Sequence, residues 1–159
     1  MNKISSFTVN HLELLTGVYV SRKDYLQNDV LTTFDLRFTR PNTEPVMDSS
    51  YIHAIEHLGA TFLRNDEEWG NKVIYFGPMG CRTGFYLILV GDLEPKQIIE
   101  LLHKMLLFII EFEGEIPGAS TRDCGNYLDL NLSMAKYYAE KYLNEVILKI
   151  TDERMTYHT

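Results

Sequence analysis

Val30-Leu31-Thr32-Thr33-Phe34-Asp35-Leu36-Arg37-Phe38-Thr39-Arg40 is the stretch on which the fold turns. Leu31, Thr33, Asp35 and Arg37 alternate with Thr32, Phe34, Leu36 and Phe38. A period of two is what a strand produces, because successive side chains point to opposite faces. The pattern predicts a half-buried strand with one apolar and one polar face, and on that polar face Arg37 reads as a solvated charge. Pro41-Asn42 ends the run.

Further strands are expected on either side of it. Ser6 to Val9 is short and alternating, Gly17 to Ser21 carries Val-Tyr-Val, and Lys72 to Phe76 and Phe85 to Val90 flank the sharp turn Gly77-Pro78-Met79-Gly80. Asp48-Ser49-Ser50 supplies the cap of a helix that runs to about Arg64. Asp92 reads as the cap of a second helix, reaching about Glu113, and a third runs from about Asn131 to Ile150. Between them, a loop from Gly114 to Gly125 holds Cys124. The strands lack regular helical crossovers. The expected class is therefore α+β, an antiparallel sheet packed against helices, in one domain spanning residues 1–159.

Composition narrows the partners. The chain is 45% hydrophobic and 23% charged, so it can build a packed core and is not a disordered segment. Its net charge of -7 lacks the basic footprint of a nucleic-acid binder and gives no attraction to an anionic membrane. The longest apolar run, Met105 to Ile110, is far too short to span a bilayer, and the opening MNKISSFTVN has no secretory pattern. A cytoplasmic protein is expected.

That compartment disfavours a disulfide between the two cysteines, Cys81 and Cys124. Neither lies in an apolar run. Their settings, Gly80-Cys81-Arg82-Thr83-Gly84 and Arg122-Asp123-Cys124-Gly125-Asn126, point towards chemistry or metal binding.

His53-Ala54-Ile55-Glu56-His57 is the strongest motif. On a helix, residues four apart share a face, so His53 and His57 can hold one ion with Glu56 projecting beside it. Imidazole suits zinc and iron equally well. Two histidines are too few, and Cys124 is the best third ligand. Cys81, on a tight turn next to Arg82, reads as a thiol of lowered pKa within reach of a substrate. His103, His158 and, taken alone, His11 read as surface or packing residues.

Two rival readings of the motif remain. An H-x-x-E-H helix also marks zinc metallopeptidases, with a third, carboxylate ligand that Glu111, Glu113 or Glu115 would have to supply. A closed structural site of two histidines and two cysteines would instead use Cys81 as the fourth ligand.

The whole pattern resembles the S-ribosylhomocysteine lyase family, the enzymes that produce autoinducer-2. The matching pieces run from about Ser5 to Leu148. They are Ser6-Phe7 with His11, Phe34-Asp35-Leu36-Arg37-Phe38, Pro41-Asn42, the His53 to His57 motif, Gly77 to Gly84 as GPMGCRTG, and Asp123-Cys124-Gly125-Asn126-Tyr127. The resemblance implies a homodimer whose two active sites are each built from both chains. It implies one divalent ion per chain, iron in the working enzyme and often zinc in purified material, held by His53, His57 and Cys124. It implies Cys81 and Glu56 as the proton-transfer pair, and Ser6, His11, Arg37 and Arg64 as residues that contact substrate or support the cysteine. The implied reaction cleaves S-ribosylhomocysteine to homocysteine and 4,5-dihydroxy-2,3-pentanedione. Two positions depart from the family pattern. Tyr75 stands where many members carry an aspartate six residues before the cysteine, and Asn10 stands where an acidic residue is common.

Overall fold

Two hairpins share one sheet. In the computed structural model, which describes residues 1–158, β1 (Gly17–Leu26) turns at Gln27, with φ 38°, into β2 (Asp29–Arg37). β3 (Val73–Pro78) and β4 (Gly84–Val90) form the second hairpin. β4 pairs with β2, so the order is β1-β2-β4-β3 and every neighbouring pair is antiparallel. Helix α1 (Ser49–Asn65) joins the hairpins, and α2 (Ile99–Glu111) and α3 (Leu132–Glu145) follow. This is the α+β architecture expected from the alternation in β2.

One face of the sheet carries the core. Val18, Phe34, Leu36, Phe85, Leu87 and Leu89 are fully buried there. They meet Ile55 and Leu58 of α1, Met105 and Leu106 of α2, and Ala139 and Tyr142 of α3. Burying each large apolar side chain contributes roughly 1.5–3 kcal/mol. Phe38, just past β2, stacks on Tyr142 at 4.0 Å between ring centroids, and the Tyr142 hydroxyl donates to the Gly17 carbonyl at 2.7 Å. Sheet and third helix are thereby tied at the beginning of β1. At Gly59 a Cβ would fall 2.5 Å from Phe76 Cε2. The missing side chain lets α1 lie directly on β3, which sets where the remaining faces of that helix point.

The other face departs from the expectation. Asp35 is 1% exposed and Arg37 3%, so Arg37 is not a solvated charge. Arg37 Nε and Nη2 donate to the two carboxylate oxygens of Asp35 at 3.0 and 2.6 Å. A pair so joined can be buried because each charge finds its partner. Alternation assigned the residues to a face correctly, but it carries no information about what covers that face.

Four smaller differences have local causes. Ser5–Phe7 is a single 3-10 turn, not the strand expected at Ser6 to Val9; four residues of alternation are too few to recruit a partner strand. β1 runs on to Leu26, because the hairpin with β2 extends its pairing. The second helix is capped by Glu94, reciprocally with Gln97, and opens with a 3-10 turn at Pro95–Ile98, while Asp92 pairs with Lys23 at 2.6 Å instead. α3 stops at Glu145, where the buried Val146 and Ile147 turn the chain back towards the core. Among the described residues, no helix is long and apolar enough to cross a membrane.

Candidate metal centre and acid–base site

Helix α1 presents two stripes. Ile52, Ile55 and Leu58 are buried, and the adjoining His53, Glu56 and His57 are half-buried. Asp48 caps the helix by accepting from the Ser50 amide at 3.1 Å. The irregular segment between α2 and α3 folds back over the half-buried stripe. The Asn131 amide donates to the Ser50 carbonyl at 3.0 Å, and Asn131 also caps α3 through the Met134 amide.

Both imidazoles are oriented by this segment. His57 Nδ1 lies 2.7 Å from the Pro117 carbonyl and His53 Nδ1 lies 2.9 Å from that of Asp129. A carbonyl oxygen only accepts, so each Nδ1 donates to it and each ring turns its Nε2 inward, the atom an imidazole offers to a metal. The two Nε2 atoms stand 3.0 Å apart, and Cys124 Sγ is 3.4 Å from that of His53. Two ring nitrogens and a sulfur turned towards one point are the donor set a divalent cation takes. The three ligand atoms fall within 4.8 Å of one another. Ligand atoms placed tetrahedrally about one zinc-sized ion are separated by about 3.3–3.8 Å. The set therefore fits a single divalent ion and leaves one position open.

The sulfur is prepared for the same task. Ser120 and Asp123 close a turn through Oγ to Oδ2 at 3.0 Å, and the Cys124 amide donates to Ser120 O at 3.0 Å. The Asn126 amide donates to Cys124 Sγ at 3.4 Å, which fixes where the sulfur points. Among the described residues the cluster contains no carboxylate and does not include Cys81. Glu111, Glu113, Glu115 and Cys81 thus lie outside the cluster formed by the described residues of one chain.

Gly118 supports His57 in a way the sequence did not announce. Its φ is +78°, and a Cβ there would lie 3.2 Å from His57 Nδ1. Gly118→Ala is expected to strain the loop and tilt that ring, lowering metal affinity by about 10–100-fold, the usual cost of disturbing a ligand's supporting contact. Competition for the metal against a chromophoric chelator measures this, with an unchanged far-ultraviolet circular dichroism spectrum as the control for folding.

Cys81 sits at the tip of the β3–β4 hairpin and is exposed. The Met79 amide donates to Gly84 O at 2.9 Å and the Arg82 amide to Met79 O at 3.0 Å, with Arg82 in the left-handed region at φ 61°. Arg37 Nη1 donates to Thr83 Oγ1 at 2.9 Å and lies 3.9 Å from Cys81 Sγ, which is 3.1 Å from the same hydroxyl. Burial alone would weaken the protonated form of Arg37, but the charge and hydrogen bonds of Asp35 outweigh it and hold the guanidinium fully protonated. A permanent cation thus faces the thiol.

The tip has two sides. Cys81 and Thr83 line a depression with His11 and residues 41–46. Glu56 and His53 line another with Met79, Gly80, Arg82 and Asp129. The structure thus brings His11 and Arg37 to Cys81, and Glu56 to the histidines. Ser6 lies elsewhere, in a groove on the outer face of the sheet with Tyr75 and Tyr86. Arg64 is bound to the backbone of β3, donating to Val73 O and Ile74 O at 3.2 Å each. Thr83, Asp35 and the Pro117 and Asp129 carbonyls were missed by reading the residues. The Pro117-Gly118 pair was the one local signal that the loop turns sharply there.

Residues 4–153 match the model of the S-ribosylhomocysteinase (LuxS) family. The S-ribosylhomocysteine lyase of Finegoldia magna is 66% identical over 157 residues, covering 99% of both chains. That of Clostridium beijerinckii is 62% identical over the same length and share, and that of Borreliella burgdorferi 51%.

Proposed function

The chain belongs to the S-ribosylhomocysteinase (LuxS) family and is a carbon–sulfur lyase, and from that membership we propose that it converts S-ribosylhomocysteine to homocysteine and 4,5-dihydroxy-2,3-pentanedione, the precursor of autoinducer-2. We read the whole of residues 1–159 as one such domain. The observation that carries the site assignment is the convergence of His53, His57 and Cys124 with Glu56 beside them.

The thioether of the substrate resists cleavage until a carbonyl stands two carbons from the sulfur-bearing carbon. The aldehyde of the sugar begins too far away. It has to migrate from C1 to C2 and then to C3, after which a β-elimination expels the thiolate. Each step removes a proton next to a carbonyl. His53, His57 and Cys124 would hold one divalent ion, Fe(2+) in the working enzyme and Zn(2+) in purified protein. When bound, such an ion acts as a Lewis acid that stabilises negative charge developing on a sugar oxygen.

The protein's own groups move the protons. Cys81, facing the Arg37 guanidinium, serves as thiolate base for the two isomerisations. Glu56, half-buried next to His53, exchanges the hydroxyl protons and assists the elimination. Ser6, His11, Arg37 and Arg64 contact substrate or support Cys81.

Two observations support a homodimer with sites shared between chains. Within one chain the Cys81 thiol and the metal donors line separate depressions. The outer face of the sheet also leaves Ile4, Leu26, Ile74 and Tyr75 exposed along one groove, an apolar surface of the kind a second copy covers. The net charge of -7 supports a small-molecule substrate with no nucleic-acid or membrane partner, and we place the reaction in the cytoplasm.

The test is thiol release. The chain loaded anaerobically with ferrous iron and given S-ribosylhomocysteine is expected to liberate homocysteine, read with a thiol reagent, and Glu56→Ala is expected to abolish it. A metal-replete chain that releases no thiol would contradict the proposal.

A further inference from the structure

The chain from the 3-10 turn at Asp152–Arg154 onwards crosses the beginning of β1. Arg154 Nη1 donates to the Thr16 carbonyl at 2.8 Å and to its hydroxyl at 2.6 Å. At Gly17 a Cβ would fall 2.2 Å from the Arg154 carbonyl, so only glycine lets the two strands of chain pass this closely. The crossing delivers Tyr157 to the outer face of the sheet. Its ring stacks on Tyr19 at 4.8 Å and 21°, and its hydroxyl donates to Asp35 Oδ2 at 2.6 Å.

That oxygen also accepts from Arg37 Nη2, and Arg37 Nη1 reaches Thr83 and Cys81. A continuous relay therefore runs Tyr157, Asp35, Arg37, Cys81. Tyr157 lies past residue 153, where the family match ends.

We infer that Tyr157 is a positioning residue for proton transfer at Cys81, acting through Asp35 to hold the Arg37 guanidinium against the thiol. The inference rests on the reading of Cys81 as the base. Burial, with the negative charge of Asp35 and the hydrogen bond to it, pushes the Tyr157 phenol well above its ordinary range, so the hydroxyl stays a donor at neutral pH. A donor on Asp35 draws off part of the carboxylate's negative charge. Without it, Asp35 opposes the thiolate more strongly and the Arg37 fork loses one of the contacts that fix its plane.

Other groups that face Cys81 are accounted for. Tyr86 of β4 senses the thiol's charge but is a neutral phenol, raised chiefly by burial. His11 and Glu44 line the Cys81 depression from the N-terminal segment and the 41–46 loop, and Arg82 follows Cys81 on the turn. Among the described residues, none of these forms a hydrogen bond or ion pair with Tyr157.

Tyr157→Phe keeps the stacked ring and deletes the hydroxyl, with its bond to Asp35 and its hydrogen bond with Ser21. The readout is the rate of iodoacetamide alkylation of the Cys81 peptide against pH, in the full, metal-loaded chain, with turnover measured alongside. The variant's midpoint is expected to rise by about half to one unit, and kcat at neutral pH to fall several-fold at unchanged KM and metal content. Tyr157→Ala, which also removes the ring, is expected to move the midpoint at least as far. An unchanged midpoint in Tyr157→Phe overturns the inference and leaves Tyr157 a packing residue. Alkylation does not require turnover, so a failure here is distinguishable from a failure of the lyase reading, which thiol release by the wild-type chain decides.

Discussion

Cys81→Ala will keep its metal and lose turnover, by at least the about hundredfold to ten-thousandfold that one general acid–base group contributes. Its place in the structure gives the reason. The thiol is exposed at the tip of a hairpin and faces a guanidinium whose charge is fixed by Asp35. Alanine removes the base and nothing else of weight. The turn is held by backbone bonds from Met79 and Arg82, which do not involve the sulfur. The metal donors come from α1 and from the segment around Cys124, and no contact between them and the Cys81 sulfur is needed to orient them. Metal content by atomic emission, read beside thiol release, measures both halves. A variant with normal turnover would remove Cys81 from the chemistry, and one without metal would make it a ligand.

Cys124→Ala should have the opposite signature, losing the metal and with it the activity. Among the described residues, the sulfur is one of three donors in the cluster. Its removal leaves two imidazoles that cannot by themselves hold an ion in a fixed geometry. The loss should exceed the about 10–100-fold that disturbing a supporting contact costs. Fold is expected to survive, because Cys124 is half-buried in a loop whose turn is closed by Ser120 and Asp123, and whose ends are tied to α1 through Pro117 and Asn131. Dialysis against a graded metal buffer gives the affinity directly. Retention of wild-type affinity would mean that another side chain supplies the third donor.

The parts of this protein legible in its sequence are those whose cause is local. The alternation through Phe34 and Leu36 named the core face of β2 because a strand's geometry repeats every two residues. His53, Glu56 and His57 were placed on one stripe because a helix repeats every 3.6. The cysteines stood out because neither belongs to an apolar run. What stayed hidden depends on contacts far apart in the chain. Arg37 reads as a solvated charge until Tyr157 arrives on Asp35 from 122 residues away. The carbonyls that orient the imidazoles belong to Pro117 and Asp129, and a backbone oxygen has no residue type to betray its task. Ser6 to Val9 failed for a different reason: alternation describes a surface, and so short a run is too little to hold a strand on the sheet, so Ser5–Phe7 closes a 3-10 turn instead.

If the sulfur leaves by β-elimination after the carbonyl has moved, the fate of the sugar records it. The metal-loaded chain is given S-ribosylhomocysteine, released thiol is counted, and the co-product is trapped with an aromatic 1,2-diamine, which condenses with adjacent carbonyls. One trapped dicarbonyl is expected for each thiol, and neither from Cys81→Ala. Thiol accompanied by free ribose would mean that the carbon–sulfur bond is cut by water without carbonyl migration, and would contradict the assignment of Cys81 and Glu56 as the groups that carry the protons.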